Sequence, residues 1–512
     1  MQAMKRAWIW LLWLAVALAP WLAGLSHPFV YDDIGMIADN RFLEDPSRLG
    51  RVLTGRTLMD SRVVNGRRPA VLATYFFDRA WHGLKPAGWR WTSLLLHLGC
   101  AALLAGLLRR LGGGDWIARA SALLFALHPA LVEAVHAPGF RADVLCLFFM
   151  LLALHGFLSL RGGRGWGGLA GGMCTAGALL SKETALALPL LLGLLMGLFP
   201  KHFPERRAPR AAILALCGGI AAAFFAAWVA FPAGLQALDG SWNGISLRFP
   251  ETIFSMPALW TRTLRLLLVP WPLNVTPFFE PVTSALSWRF WGGGVVLAVC
   301  VAMAWRLRKS SPWITLGLAW VGAMFLPVSN LWPLLHPVAD RYAYPMAPGW
   351  AMVLAAGLNH GTRRFRRLGL AGLVSIFALL LTVRIAEWSS SETLWTTALA
   401  RNPKSATAAT WLGLLREEAG DAEAARGFYR RAVEANPHAV SAWINGGILE
   451  GKAGKWEESE RWLRRAVAVQ PEGARGWHNL AVCLEQQGRR DEASVAAARA
   501  KALRSDYGSV KP

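Results

Sequence analysis

Apolar runs close to bilayer length recur from the start of the chain to residue 386, separated by short polar loops. They fall at 7–25, 92–108, 116–135, 142–160, 165–180, 184–200, 211–232, 290–305, 312–328, 346–360 and 368–386. Read as helices, these about eleven spans predict an all-α polytopic membrane bundle. The first run is about 19 residues, longer than a signal-peptide core, and no small-x-small cleavage site ends it. It is therefore expected to be a retained span. The run beginning at Phe249 is apolar enough to cross as well, but it carries Arg262 and Arg265 in its middle. It reads better as an amphipathic helix on the outer interface.

Charge gives the bundle an orientation. The chain has 512 residues, 54% of them hydrophobic and only 17% charged, with mean hydropathy +0.34. The net charge of +22 does not imply nucleic-acid binding, because the basic residues form no single long patch. They gather in short loops: Lys5 and Arg6, Arg109 and Arg110, Arg161 and Arg164, the stretch 201–210, the stretch 306–310 and the stretch 363–367. If every span crosses once, all of these fall on one side, which the positive-inside pattern makes cytoplasmic. A crossing at Phe249 would put the last two outside. The N-terminus is then inside and the C-terminus outside. Outer segments are about 26–91, 128–143, the turn at Ser181, about 232–289, 329–345 and the tail. No C-x-x-C occurs among the six cysteines, so neither a disulfide framework nor a zinc site is expected. Tryptophans gather at span ends, as in an interfacial belt.

The tail follows a different period. Pro403, Pro437 and Pro471 are 34 residues apart, and Gly420, Gly454 and Gly488 keep the same register. So do Ala432, Ala466 and Ala500, and Trp443 with Trp477, whereas Ala409 occupies the corresponding place in the first unit. This spacing predicts three tetratricopeptide repeats over 400–507, with membrane residues 1–388 before them.

Candidate chemistry lies in the outer segments. Asp32 and Asp33 follow the first span in FVYDDIGMIADN. They are either solvated or capping acids, or a general base with a supporting neighbour. The second outer loop concentrates His128, Glu133, His136, Arg141 and Asp143 within 16 residues. No spacing there is diagnostic of a metal, so none is assigned, and a divalent ion stays an open alternative. Lys182 and Glu183 form a charged turn; the lysine suits a lipid phosphate, or the pair simply snorkels. Arg341 offers a bidentate grip on phosphate, with Tyr342 and Tyr344 beside it for headgroup or sugar, or the group anchors the interface.

The ordered set FVYDDIGMIADN, RRPAVLATYFFDRAWHGLKPAGWRWTSLLLH, LFALHPALVEAVHAPGFRADVL, SKE and ADRYAYP, followed by repeats, resembles the transmembrane and tetratricopeptide-repeat-containing family, the protein O-mannosyltransferase-like proteins. The resemblance spans nearly the whole chain. It departs at Ser93, where the family has Asn, and in having only three repeats. It implies a membrane glycosyltransferase of the C superfamily that uses a polyprenyl-phosphate-linked sugar at the outer face, with no required cofactor. An acid of the first outer loop, here Asp32 or Asp33, would be the catalytic base. Lys182, Arg341 and Arg141 would meet the donor phosphate. His128, Glu133, Asp143, Glu183, Tyr342 and Tyr344 would support the site. A hexose such as mannose would pass to a hydroxyl of an acceptor protein held by the repeats, in a bacterial inner membrane with the repeats periplasmic. The alternatives are transfer to lipid or envelope glycan, and a non-catalytic membrane-anchored scaffold.

Overall fold

The computed structural model describes residues 15–58, 60, 63–162, 166–230, 249–331, 334 and 336–505. The start of the first apolar run, Arg164, the stretch 231–248 of the fourth outer segment and the final residues from 506 lie outside the described residues. The all-helical expectation holds: no strand occurs among the described residues. Two compact units divide the chain.

The larger unit holds the described residues of 15–230, 249–273 and 281–390. Each apolar run from residue 92 onward becomes a helix or a bent helix pair. Among the described residues, five helices are long and apolar enough to cross a membrane: Pro86–Arg110, Pro138–Ser159, Arg207–Val229, Trp288–Leu307 and Arg363–Glu387. Gly114–Ala126 and Pro129–His136 make a sixth if the pair, bent by 54°, is one span. Pro129 sits at that break, as the sequence suggests. The other apolar runs form shorter helices. Trp166–Leu179 has 14 residues, about 21 Å against a hydrocarbon core of about 30 Å. Length and composition thus leave the total of about eleven open.

Small residues let the helices approach closely. A Cβ added at Gly317 would lie 2.4 Å from the Gly349 carbonyl oxygen, where Pro312–Phe325 meets Ala347–Asn359. Glu251–Leu268 is not among the span candidates. It buries Ser255, Leu259, Trp260 and Leu267 and exposes Ile253 and Leu268, the two-faced pattern that its mid-helix arginines predict. The first outer segment folds into a small apolar roof. Ile37, Leu43, Val52, Val71, Leu72 and Tyr75 pack with Trp89 and Leu145 from two of the membrane helices. That roof fixes the acid pair in space.

The smaller unit comprises Ser391–Ser505 and a returning segment, Asn274–Glu280. After Ser391–Arg401 come three helix pairs: Ala406–Glu418 with Ala422–Ala435, Val440–Lys452 with Trp456–Val469, and Ala474–Gln486 with Arg490–Ser505. Gly420, Gly454 and Gly488 each end the first helix of a pair in the left-handed region (φ +81°, +74° and +75°), which explains their shared register. Gly446 lets the Trp462 ring lie where a Cβ would be. The returning segment falls within the stretch 232–289 expected to be the fourth outer segment. Asn402 Nδ2 donates to the Thr276 carbonyl (2.9 Å), the Ser405 and Thr276 hydroxyls pair at 2.8 Å, and Asn274 Nδ2 donates to the Ala398 carbonyl (3.1 Å). Such links between apolar runs and a repeat helix leave no periodic trace.

Candidate functional site

Tyr31 opens the site. Its φ is +55°, a left-handed conformation that costs a bulky residue about 1–3 kcal/mol. Packing against the Phe140 ring (centroids 5.6 Å apart) offsets that strain. The sharp turn gives the two following acids unlike surroundings. Asp33 is fully buried, whereas Asp32 is half-buried. Oδ1 of Asp33 accepts from the Gly139 amide at 2.7 Å. Gly139 is needed there: a Cβ would stand 3.0 Å from that oxygen and 3.2 Å from the Asp32 carbonyl carbon. Burial pushes the Asp33 carboxyl up to about 7, against the pull of the Gly139 amide and the Arg90 charge. Burial also raises Asp32, but less of its environment is closed, and Arg341 works to keep it charged.

Four ion pairs cluster around this turn. Arg341 binds Glu133 at 2.5 Å, and Lys182 Nζ reaches both oxygens of Asp143 at 2.7 Å. Arg68 pairs with Glu183 at 3.2 Å, and Arg262 with Asp340 at 2.9 Å. Tyr342 ties two of them together. Its ring lies 5.5 Å from the Lys182 ammonium and 5.5 Å from the Arg341 guanidinium, while its hydroxyl donates to the His336 carbonyl (2.7 Å). The Arg341 guanidinium also covers Phe140 at 4.3 Å. Burial disfavours the Arg341 charge, but Glu133, Tyr342, Tyr31 and Asp32 together raise its affinity for the proton. The Glu183 charge likewise raises Arg68. Asp32, Glu133, Asp143, Lys182, Glu183, Arg341 and Tyr342 thus belong to one connected neighbourhood.

Three expected residues sit elsewhere. Arg141 is fully buried, pairs with Asp78, and donates to Ser93 Oγ, Thr74 Oγ1 and the Trp89 carbonyl. Its guanidinium is engaged by these four partners. His128 Nε2 contacts the Leu267 carbonyl at 3.0 Å, and its ring packs on Phe377. The Tyr344 hydroxyl meets His97 Nδ1 at 2.9 Å beside Phe125. Conversely, Arg68, Asp78, Arg90 and Asp340 have no place in the sequence reading, and Arg262 has one only as a mid-helix charge. Arg68 stands in the quoted RRPAV stretch and Asp340 next to Arg341, so a signal existed for those two. Among the described residues no group of three or more His, Cys, Asp or Glu is arranged to hold a metal ion.

Residues 383–440 and 445–507 match the family model described as tetratricopeptide repeat. The C-terminal unit is a tetratricopeptide-repeat array. Protein O-mannosyl-transferase TMTC4 of Homo sapiens is 26% identical over 485 residues, covering 81% of this chain and 64% of that one. Protein O-mannosyl-transferase Tmtc3 of Drosophila melanogaster is 25% identical, covering 79% of this chain and 52% of that one. Protein O-mannosyl-transferase TMTC2 of Mus musculus reaches 33% over 189 residues, 34% of this chain and 22% of that one. The resemblance to the transmembrane and tetratricopeptide-repeat-containing family holds along most of the chain. The chain spans between half and two thirds of the length of the first two relatives.

Proposed function

We propose that this protein transfers a hexose such as mannose from a polyprenyl-phosphate donor to a hydroxyl of an acceptor protein. The reaction takes place at the outer face of a bacterial inner membrane, with the N-terminus cytoplasmic and the repeats periplasmic. The observation that carries the reading is the half-buried Asp32 carboxylate, within electrostatic reach of Arg341 in a cluster that also holds Lys182. The names of the relatives support the class of reaction and of acceptor.

In the proposed step the acceptor hydroxyl oxygen attacks C1 of the sugar as its proton passes to Asp32. The C1–O bond to phosphate breaks, the electron pair leaves with the lipid phosphate, and configuration inverts. Arg341, Lys182 and Arg68 meet the charge that develops on the phosphate, so the step requires no metal or other cofactor. Arg68 takes the place that the sequence reading gave to Arg141. Asp33 holds the loop through Gly139 and is not the base. The repeats present the acceptor chain on their surface.

The test is a transfer assay with the purified full chain, polyprenyl-phosphate mannose and acceptor peptides. Asp32→Asn should lose about 10²–10⁴-fold in kcat with the donor KM little changed. Full activity of Asp32→Asn would sink the assignment.

A further inference from the structure

One buried cation takes no part in the ion pairs of the site. Arg90 lies in the first turns of Pro86–Arg110, 1% exposed, with no carboxylate at ion-pair distance among the described residues. Its guanidinium instead collects backbone carbonyls from two distant segments. Nε donates to the His136 carbonyl at 3.0 Å. Nη1 donates to the Leu25 carbonyl at 3.2 Å and to that of His27, and Nη2 to that of Pro28 at 2.7 Å. The planar fork of arginine can serve four such acceptors at once; the point charge of lysine cannot.

The segment it holds, 25–28, runs directly into Tyr31, Asp32 and Asp33. Other contacts fix the same segment to the same support. Trp21 Nε1 donates to the Ala126 carbonyl at 3.1 Å. Gly24 lies so close to His136 that a Cβ would come within 2.3 Å of the imidazole. Beyond the acids, Gly139 receives Asp33, and the Tyr75 hydroxyl, shared between the Pro138 and Gly139 carbonyls (2.8 and 3.1 Å), fixes the far side. The acid pair is therefore strung between two anchors. Arg90 supplies the upstream one, and it does so from a membrane helix that itself carries none of the reacting groups.

We propose that Arg90 is a positioning residue: it clamps residues 25–28 to His136 so that Asp32 is presented to substrate in register. This inference rests on the reading of Asp32 as the base. Arg90 shares none of the carboxylates that hold Lys182, Arg341 and Arg68, so its loss should leave donor capture intact and misplace the base. An ångström of misplacement at a reacting group costs about 10²-fold.

The experiment compares the full chain with Arg90→Lys and Arg90→Met by backbone amide hydrogen exchange and by transfer kinetics. Exchange over residues 25–36 should rise about tenfold or more in both variants, while Ala406–Gln486 is unchanged. kcat should fall roughly 10–100-fold with the donor KM within about twofold. Unchanged exchange over 25–36 in both variants overturns the clamp. So does unchanged kcat despite a loosened segment, or exchange raised evenly throughout the chain, which would mark a general folding role. If the parent chain transfers no sugar from this donor, the transferase reading fails, and the exchange measurement still decides whether Arg90 holds the segment.

Discussion

The ion pairs of the site differ in reach and exposure from most of those in the repeats, where Arg426 with the buried Glu450 is an exception. In the membrane unit the ion pairs of the site join segments far apart in sequence: Arg68 with Glu183, Lys182 with Asp143, Arg341 with Glu133. The Lys182 and Arg341 pairs are almost sealed from solvent, at 6%/3% and 9%/1% side-chain exposure. In the repeat unit many pairs are one helical turn apart, such as Arg464 with Glu460 and Arg461 with Glu458, and most of their partners are well exposed. A buried pair stabilises little on balance, because desolvation opposes the attraction. It is nonetheless costly to break. An exposed pair can be removed almost freely. Buried charge gathered in one neighbourhood is what the proposed transfer requires, while exposed charge along the repeats serves solubility and helix support.

Asp143→Ala, which strands the Lys182 ammonium, should destabilise the membrane unit by about 3–5 kcal/mol, read by thermal unfolding in detergent. The double variant Lys182→Met/Asp143→Leu should recover most of that loss yet stay inactive in transfer. A double variant that regains activity would show that the pair is only structural. In the repeats, Gly446→Ala forces a methyl group into the Trp462 ring and should cost about 1–3 kcal/mol. This effect comes from packing and not from charge. The smallest expected effect is that of Arg416→Ala, which removes a half-exposed pair with Glu392. It should change stability by about 0.2–1 kcal/mol and fade in high salt.

A pH series isolates Asp33. Its carboxyl titrates at about 7 in the folded chain against 3.8 when free. A raised carboxyl binds its proton more tightly when folded. Its contribution to stability is full below pH 3.8 and is lost as pH rises through about 7. Asp33→Asn should flatten that decline in thermal unfolding midpoints between pH 4 and 7, whereas Asp32→Asn should leave more of it. Equal profiles for the two variants would remove the distinction drawn between the neighbouring acids.

The repeats were legible because their information is local. A 34-residue period carries its own glycine stops and tryptophan register, and the helix pairs follow within a residue or two. The apolar runs were legible for the same reason. What the sequence could not show was pairing at long range. Arg341 and Glu133 are 208 positions apart, and Arg68 and Glu183 are 115 apart. No pattern within one segment reports such a contact. The charge of Arg141 and its place at a loop suggest phosphate, but its partners Asp78, Ser93 and Thr74 lie in other helices and leave no mark near it in the sequence. Asp32 and Asp33 were indistinguishable as letters. The left-handed turn at Tyr31 and the approach of Gly139 make them different, and neither is a composition signal.

The returning segment Asn274–Glu280 also has a consequence for biosynthesis. Thr276 leaves the ribosome 126 residues before its partner Asn402. At roughly 5–20 residues per second, it waits about 6–25 seconds, while the last membrane helices are still being made. The first repeat cannot complete its polar contacts until those helices have been delivered. A ribosome stalled near residue 390 would therefore hold a nascent chain in which Thr276 has yet to meet Asn402 and Ser405.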